Sequence, residues 1–465
     1  HSMRRIFIWF FLMPGFLFGQ NKNVSLLDHW SDSSLVSNTS QVRYSGCFAF
    51  NYQDREYGVI GSTEGTHVFE ITDDNQLRFV DSIKGRYVSS QAITREFAHY
   101  GNYLYAIGDE GNASLQIIDL TALPNELSIA ADIQDERVGR AHNIYIDSVR
   151  KLMYLCLVTP IINGAESTLI PLRVFSLETP LYPQLLYSGF DDLTEVHDLE
   201  VRDEIAILSC GFQGIRVYDF SDPLSPIYIN NLEFYQEQGY NHQGSLSVDG
   251  KTYVFADETP GTKIKRCAVL ENYTIQVQQL FGVENEPYDQ TAHNIEVYGN
   301  LAYVAYYNKG LRIYDLRTNP PKEIGSYDTH TDLPGNSFSM WGAWGINARL
   351  SNERVLVSDR ISGLYLFEFD HSLFDLVIQP NEPLVYPNPL SKGEQITLRL
   401  PSDLASPLQI RLLNEKGAII KEIVNFDQSY AQLTMPFSSG TYVLELYHMG
   451  LGTETKCGSQ KLIIK

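Results

Sequence analysis

The chain has 465 residues and a formal net charge of −21, from 35 basic and 56 acidic side chains, with 43% of residues apolar and 20% charged. That balance excludes an intrinsically disordered chain, and so acidic a surface without a compact Lys/Arg run repels phosphate backbones and argues against nucleic acid as a partner. The length exceeds one ordinary core, and 29 Tyr with 23 Phe favour an all-β class built from repeats or several domains.

In chain order, His1 and Ser2 precede the expected initiator Met3 and read as an added remnant. "MRRIFIWFFLMPGFLFGQ" follows, with two arginines, an apolar run from Ile6 to Phe18 and the small Gly19 before Gln20. This is the pattern of an export signal, so residues 1–19 are assigned to remnant and leader, and the mature chain is expected to begin near Gln20. The run falls short of the roughly 20 apolar residues that span a bilayer, and no later segment approaches that length.

A unit of about fifty residues then recurs seven times. The copies are residues 46–71, 95–120, 142–177, 197–220, 242–258, 291–316 and 344–369, as in "HDLEVRDEIAILSCGFQGIRVYDF" and "HNIEVYGNLAYVAYYNKGLRIYDL". Each holds a strand, a polar turn such as "YGN" or "VDGK", a strongly apolar strand, a Gly-containing turn and a third strand. A short fourth strand such as "QLRFVDSI" or "PIYINNL" follows. Four antiparallel strands per repeat, seven times over, predict a seven-bladed β-propeller over residues 23–370. "NVSLLDHWSD" (23–32) resembles the fourth strands but precedes the first copy, so it is expected to complete the last blade and close the ring.

After Asp370 the rhythm stops. Residues 371–385 carry prolines that forbid helix and read as a linker. From Gln395 onward "ITLRL", "LQIRLLNEKGAIIKEIV", "YAQLTM", "GTYVLELYH" and "QKLIIK" predict a small antiparallel β-sandwich, so the second domain is placed at residues 386–465. The five cysteines, Cys47, Cys156, Cys210, Cys267 and Cys457, are odd in number and contain no CxxC pair. Cys156 and Cys210 stand in strand-like surroundings and are expected to be buried free thiols.

Two resemblances attach to these segments. With "YPNP" at Tyr386–Pro389, "NEKG" at Asn414–Gly417, "SGTYVLEL" at Ser439–Leu446 and the closing "KLIIK", the terminal domain resembles the type A C-terminal sorting domain of the type IX secretion system. That resemblance implies a Bacteroidota-type cell, the type IX machinery as partner, and delivery outside the cell or to its outer surface. With "HDLEV", "NHQGSLSVDGKTYVFADE", "AHNIEVYG" and "GLRIYDL", residues 23–370 resemble the LVIVD-repeat proteins of the choice-of-anchor B family, to which no activity is attached. The chain departs from the repeated histidine in two copies, where Arg95 and Trp344 stand instead.

The candidate site follows from blade geometry. The first strand of a blade is the innermost, so His142, His197, His242 and His293 at its start are expected around one channel mouth. The turn between second and third strands opens on the same face, with Glu64, Asp109, Glu110, Asp257, Glu258 and Asp359. Imidazole and carboxylate ligands delivered by separate blades suit zinc or a similar divalent metal, with His242, Asp257 and Glu258 the preferred set. The alternative is structural, each histidine bonding an acid in a turn of its own blade. Trp341 and Trp344 in "SMWGAWG" either stack on a sugar or plug the seam between blades, and Arg95 and Arg360 either bind an anionic group or pair on the surface. No GxSxG elbow, P-loop or GxGxxG motif is present. The sequence thus favours an extracellular binding or adhesion module for a carbohydrate or protein, with a metal-assisted hydrolase as the competing class.

Overall fold

The computed structural model describes residues 21–370, apart from 191, 248, 285–289 and 330–339, together with strands between 384 and 464. Residues 1–19, expected to be remnant and leader, and the Pro-rich stretch before Leu384 lie outside the described residues. The fold is all-β. Its only helical elements among the described residues are the 3-10 turns Glu271–Tyr273 and Ser351–Glu353, and no helix is long and apolar enough to cross a membrane.

Among the described residues between 24 and 369 there are seven four-stranded antiparallel sheets. Their innermost strands are Tyr44–Tyr52, Arg95–Tyr100, Asn143–Asp147, Asp198–Arg202, Asn241–Leu246, Ile295–Tyr298 and Ala343–Asn347. Each of these strands touches the next in chain order, and the last touches the first, so the sheets form a closed circuit. The closure is made by Val24–Trp30, which pairs antiparallel with Gly363–Phe369 and supplies the outer strand of the last sheet. One element was not anticipated: a two-stranded hairpin, Ile161–Ile162 with Ala165–Glu166, inserted between the second and third strands of the third sheet.

Burial explains the strand compositions. Second strands such as Ile205–Ser209 and Leu301–Ala305 are buried along their whole length, because both faces meet a neighbouring sheet. Outer strands such as Ser128–Ile133 are mostly exposed. The apolar side chains form layers between consecutive sheets rather than one central core: Tyr154 and Val174 of the third sheet pack with Leu208 and Phe220 of the fourth. Ile60 and Phe69 of the first likewise pack with Leu356 and Leu366 of the last. At about 1.5–3 kcal/mol for each large side chain buried, these layers are the main adhesive of the ring.

The glycine repeated before the third strand has a steric cause. At Gly214, Gly310 and Gly363 φ is positive, and a Cβ would lie 2.3, 2.2 and 2.1 Å from the carbonyl oxygens of Leu232, Tyr327 and Trp30. Only glycine lets the fourth strand approach so closely. Cys156 and Cys210, like Cys47 and Cys267, are buried free thiols. Beyond residue 383 the described strands form a three-stranded sheet (Leu384–Tyr386, Gln395–Arg399, Tyr430–Thr434) and a four-stranded sheet built around Leu408–Asn414 and Gly440–Met449.

Candidate functional site

Backbone hydrogen bonds between sheets set the positions of the site residues. Gly211, in the turn after the second strand of the fourth sheet, exchanges two N–H···O bonds with Asn241 at the start of the fifth, at 3.1 and 3.0 Å. Tyr307 and Ala343 make the same exchange between sixth and seventh sheets, at 3.0 and 2.9 Å. Ala141 N–H donates to Gly108 O at 3.0 Å, and Tyr44 N–H to Arg360 O at 3.0 Å. Each residue so fixed immediately precedes one equivalent position, occupied round the ring by Ser45, His142, His242 and Trp344. Arg95, His197 and His293 hold the same place in the other three sheets. The strand register slips at Asn241/Gln243, at Ala343/Ile346 and at Tyr44/Cys47. Such bulges re-aim side chains, here those of His242, Trp344 and Ser45.

The four imidazoles form one row. Ring centroids are 4.2 Å apart for His142 and His197, 4.2 Å for His197 and His242, and 4.3 Å for His242 and His293; the Trp344 ring continues the row at 3.9 Å from His293. His197 Nδ1 is 3.1 Å from the His242 carbonyl oxygen and His293 Nδ1 is 2.8 Å from that of Trp344. A carbonyl can only accept, so both rings carry their proton on Nδ1 and keep a lone pair on Nε2. His142 Nδ1 is 2.8 Å from Asp109 Oδ2, a residue of the preceding sheet. These bonds join neighbouring sheets, and none of the three pairs a histidine with an acid of its own sheet. His242 Nδ1 is buried without a hydrogen-bond partner among the described residues.

Burial is the main electrostatic influence. It holds His197 and His293 well below the ordinary imidazole value, with neighbouring imidazoles adding to the effect, and it lowers His242 against the pull of Glu258. His142 is also desolvated, but its bond to Asp109 outweighs this and raises it. Near neutral pH, therefore, His197, His242 and His293 are uncharged and able to act as ligands.

Glu258 is the acid that meets them. Its Oε2 lies 3.8 Å from His242 Nε2 and its Oε1 4.0 Å from His293 Nε2, and one ligand atom from each of the three residues falls within 4.8 Å of the others. Two ligands of a tetrahedral zinc are roughly 3.4 Å apart, so this spacing closes around an ion with small side-chain movements. Tyr307 donates its hydroxyl hydrogen bond to Glu258 Oε1 and fixes the carboxylate. Asp257, the other acid of the preferred set, faces away from the imidazoles. Fully buried, it accepts from Lys265 Nζ at 2.7 Å, Tyr235 Oη at 2.8 Å and Gly239 N–H at 2.9 Å, and so holds its own sheet together.

Trp344 is buried against the His293 ring and Arg360, whose Cζ lies 4.1 Å from the indole centroid. Its Nε1 donates to Glu96 Oε1 at 3.2 Å. Glu96 reaches across because position 46 is glycine: a Cβ there would stand 2.3 Å from Glu96 Oε2. Arg360 donates from Nη1 to the Met340 carbonyl at 3.2 Å. Arg95 does not join the group. Its guanidinium runs beneath Gly85, where a Cβ would be 2.3 Å from Nη2, and burial lowers its pKa to about 10. Trp341 is partly exposed beside the exposed Met340. Sequence reasoning missed Tyr307 and Glu96. Tyr307 stands in "YYNKG" at the turn position where the fifth copy has Glu258, and that alignment was the signal available for it.

The comparisons with known proteins agree with a propeller fold. A family model described as LVIVD repeat matches residues 290–329, which include His293 and Tyr307. No curated protein sequence matches the chain. The chain is similar to the β-propeller domain of Cps50 (Swd1) from Myceliophteria thermophila, at a TM-score of 0.53 and 8% identity over 74% of this chain and 99% of that one. It is also similar to a putative 6-phosphogluconolactonase from Bacteroides uniformis, at 0.50 and 13% over 82% and 100%. PorZ, a surface component of the type-IX secretion system of Porphyromonas gingivalis, overlaps at 0.46 and 12% over 90% of this chain and 59% of that one, a likeness too weak to bear on activity.

Glu96 generates a prediction. Burial raises its pKa from 4.5 to about 7, against the opposing Trp344 hydrogen bond. The folded state therefore holds this proton more tightly than the unfolded state, and the contribution of Glu96 to stability falls as pH rises from about 4.5 to 7 and then levels off. The histidines held low by burial contribute the opposite trend to both proteins, so the decline is read as a difference: in urea unfolding, the stability of the parent relative to Glu96→Gln, which still accepts from Trp344, should fall over that window. Parallel pH profiles for the two proteins would contradict the assignment.

Proposed function

We propose that this chain is a secreted or cell-surface propeller of seven blades that acts as a binding module, with its recognition site at the mouth where the imidazole row lies. The observation that carries this reading is the meeting of His142, His197, His242 and His293 from four consecutive sheets with Glu258, Tyr307, Trp344 and Arg360. A purely structural role requires no such row, since each ring could be satisfied within its own sheet. In the same reading residues 1–19 direct export and residues 386–465 form a sandwich-like sorting domain read by the type IX secretion machinery. The choice-of-anchor B resemblance fits a display role, with an extracellular carbohydrate or protein as the class of partner.

A second reading is favoured by one specific feature, the His242–Glu258–His293 group. Two neutral imidazoles and a carboxylate form a donor set for zinc or a similar divalent ion and leave further coordination positions for water or ligand. An ion held there would supply Lewis-acid activation of water for a hydrolase. His242 and His293 would contribute Nε2, and Tyr307 would hold the Glu258 carboxylate in place.

Elemental analysis of the purified full chain separates the two readings. About one equivalent of a divalent transition metal per chain is expected in the parent and none in His242→Ala; metal missing from both proteins would remove the hydrolase and leave a metal-free recognition surface. The export assignment has its own test. In a host carrying the type IX machinery, deletion of residues 383–465 should leave the propeller inside the cell envelope, and undiminished release of the shortened chain would contradict it.

A further inference from the structure

We infer that the ligand of this mouth is a small organic acid, one carboxylate of which pairs with the Arg360 guanidinium beside the His242–Glu258–His293 group. The inference rests on the proposed binding role of the mouth and names its ligand class. Arg360 is only 6% exposed, yet its Nε is buried without a hydrogen-bond partner among the described residues, and Nη1 reaches a main-chain carbonyl rather than a charge. A guanidinium is permanently charged and carries five donors in a plane, so burying it with so few acceptors is unfavourable unless an anion completes the set.

The acids that act on Arg360 electrostatically are Glu258, Glu110 and Asp359, with Tyr307 beside them, and each acid is engaged elsewhere. Glu258 accepts from Tyr307, Glu110 from the Thr94 N–H, and Asp359 from Thr329 Oγ1 and the N–H groups of Ile361 and Ser362. The guanidinium carbon lies over the Trp344 ring, and a carboxylate would meet the remaining edge of the guanidinium with two parallel bonds. The indole spans from the guanidinium to His293 in two stacking steps, of 4.1 and 3.9 Å. A short acid with two oxygen-bearing ends would set one end on Arg360 and the other towards His293 and Glu258. A divalent ion among those residues would offset the negative charge of Glu258, Glu110 and Asp359 around Arg360, so metal and acid should reinforce each other's binding.

The test is calorimetric titration of the full chain with succinate, metal-free and after loading with Co²⁺, with orthophosphate as the comparison anion. Succinate should bind, about tenfold more tightly once Co²⁺ is present. Arg360→Gln should weaken succinate by about 30-fold at unchanged Co²⁺ affinity, and Arg360→Lys, which keeps the charge but loses the fork, by an intermediate factor. If Co²⁺ fails to load while succinate still binds through Arg360, the metal reading falls and this assignment stands. A parent that does not bind succinate, a parent that takes phosphate in its place, or folded Arg360 variants that bind succinate like the parent would overturn it.

Discussion

The backbone exchange between consecutive sheets is the constraint on which the site depends. Where the turn after one sheet's second strand bonds to the residue opening the next sheet's first strand, as Gly211 does with Asn241 and Tyr307 with Ala343, two distant segments are fixed to within a hydrogen-bond length. These two exchanges, with the single bonds of Ala141 to Gly108 and of Tyr44 to Arg360, help bring residues some fifty positions apart in sequence into ring-to-ring contact. The apolar layers supply most of the free energy of assembly, but they do not fix which side chain meets which at the mouth. The directional main-chain bonds do.

The row of imidazoles is a consequence of this geometry and also a burden on it. Four rings at about one stacking distance cannot all be charged, and burial with mutual repulsion keeps His197 and His293 well below their ordinary value. Donation from Nδ1 to a carbonyl of the next sheet both satisfies the ring and leaves Nε2 with its lone pair. The same bonds that hold the sheets in register thus prepare the nitrogens for a ligand. Glu258, steadied by Tyr307, and Arg360, seated on Trp344, add opposite charges close by and give the mouth a polarity that a purely structural row would lack.

Much of this was legible in the sequence, because a repeat with a period near fifty carries its own alignment. The strand order, the early segment completing the last sheet, the shared position of the four histidines and the buried free thiols Cys156 and Cys210 all follow from pattern and periodicity. Direction was less legible. Asp257 and Glu258 are adjacent, and which of them faces the imidazoles depends on local register, which a bulge at His242 shifts without any mark in the sequence. Arg95 shares the histidines' position, yet its longer side chain leaves the axis to run beneath Gly85. Trp344 meets Glu96 only because Gly46 leaves room, a relation between residues of three sheets that no local pattern encodes. The inserted hairpin at Ile161–Glu166 interrupts the repeat and for that reason escaped it.

The central claim is that inter-sheet hydrogen bonds hold His197 and His293 as Nδ1–H tautomers that keep a lone pair on Nε2. Nitrogen-15 NMR of histidine-labelled protein at neutral pH, with site assignment by single substitution, tests it most directly. The account predicts that His197 and His293 show a protonated Nδ1 and an unprotonated Nε2. Finding either ring with its proton on Nε2, or doubly protonated, would contradict it.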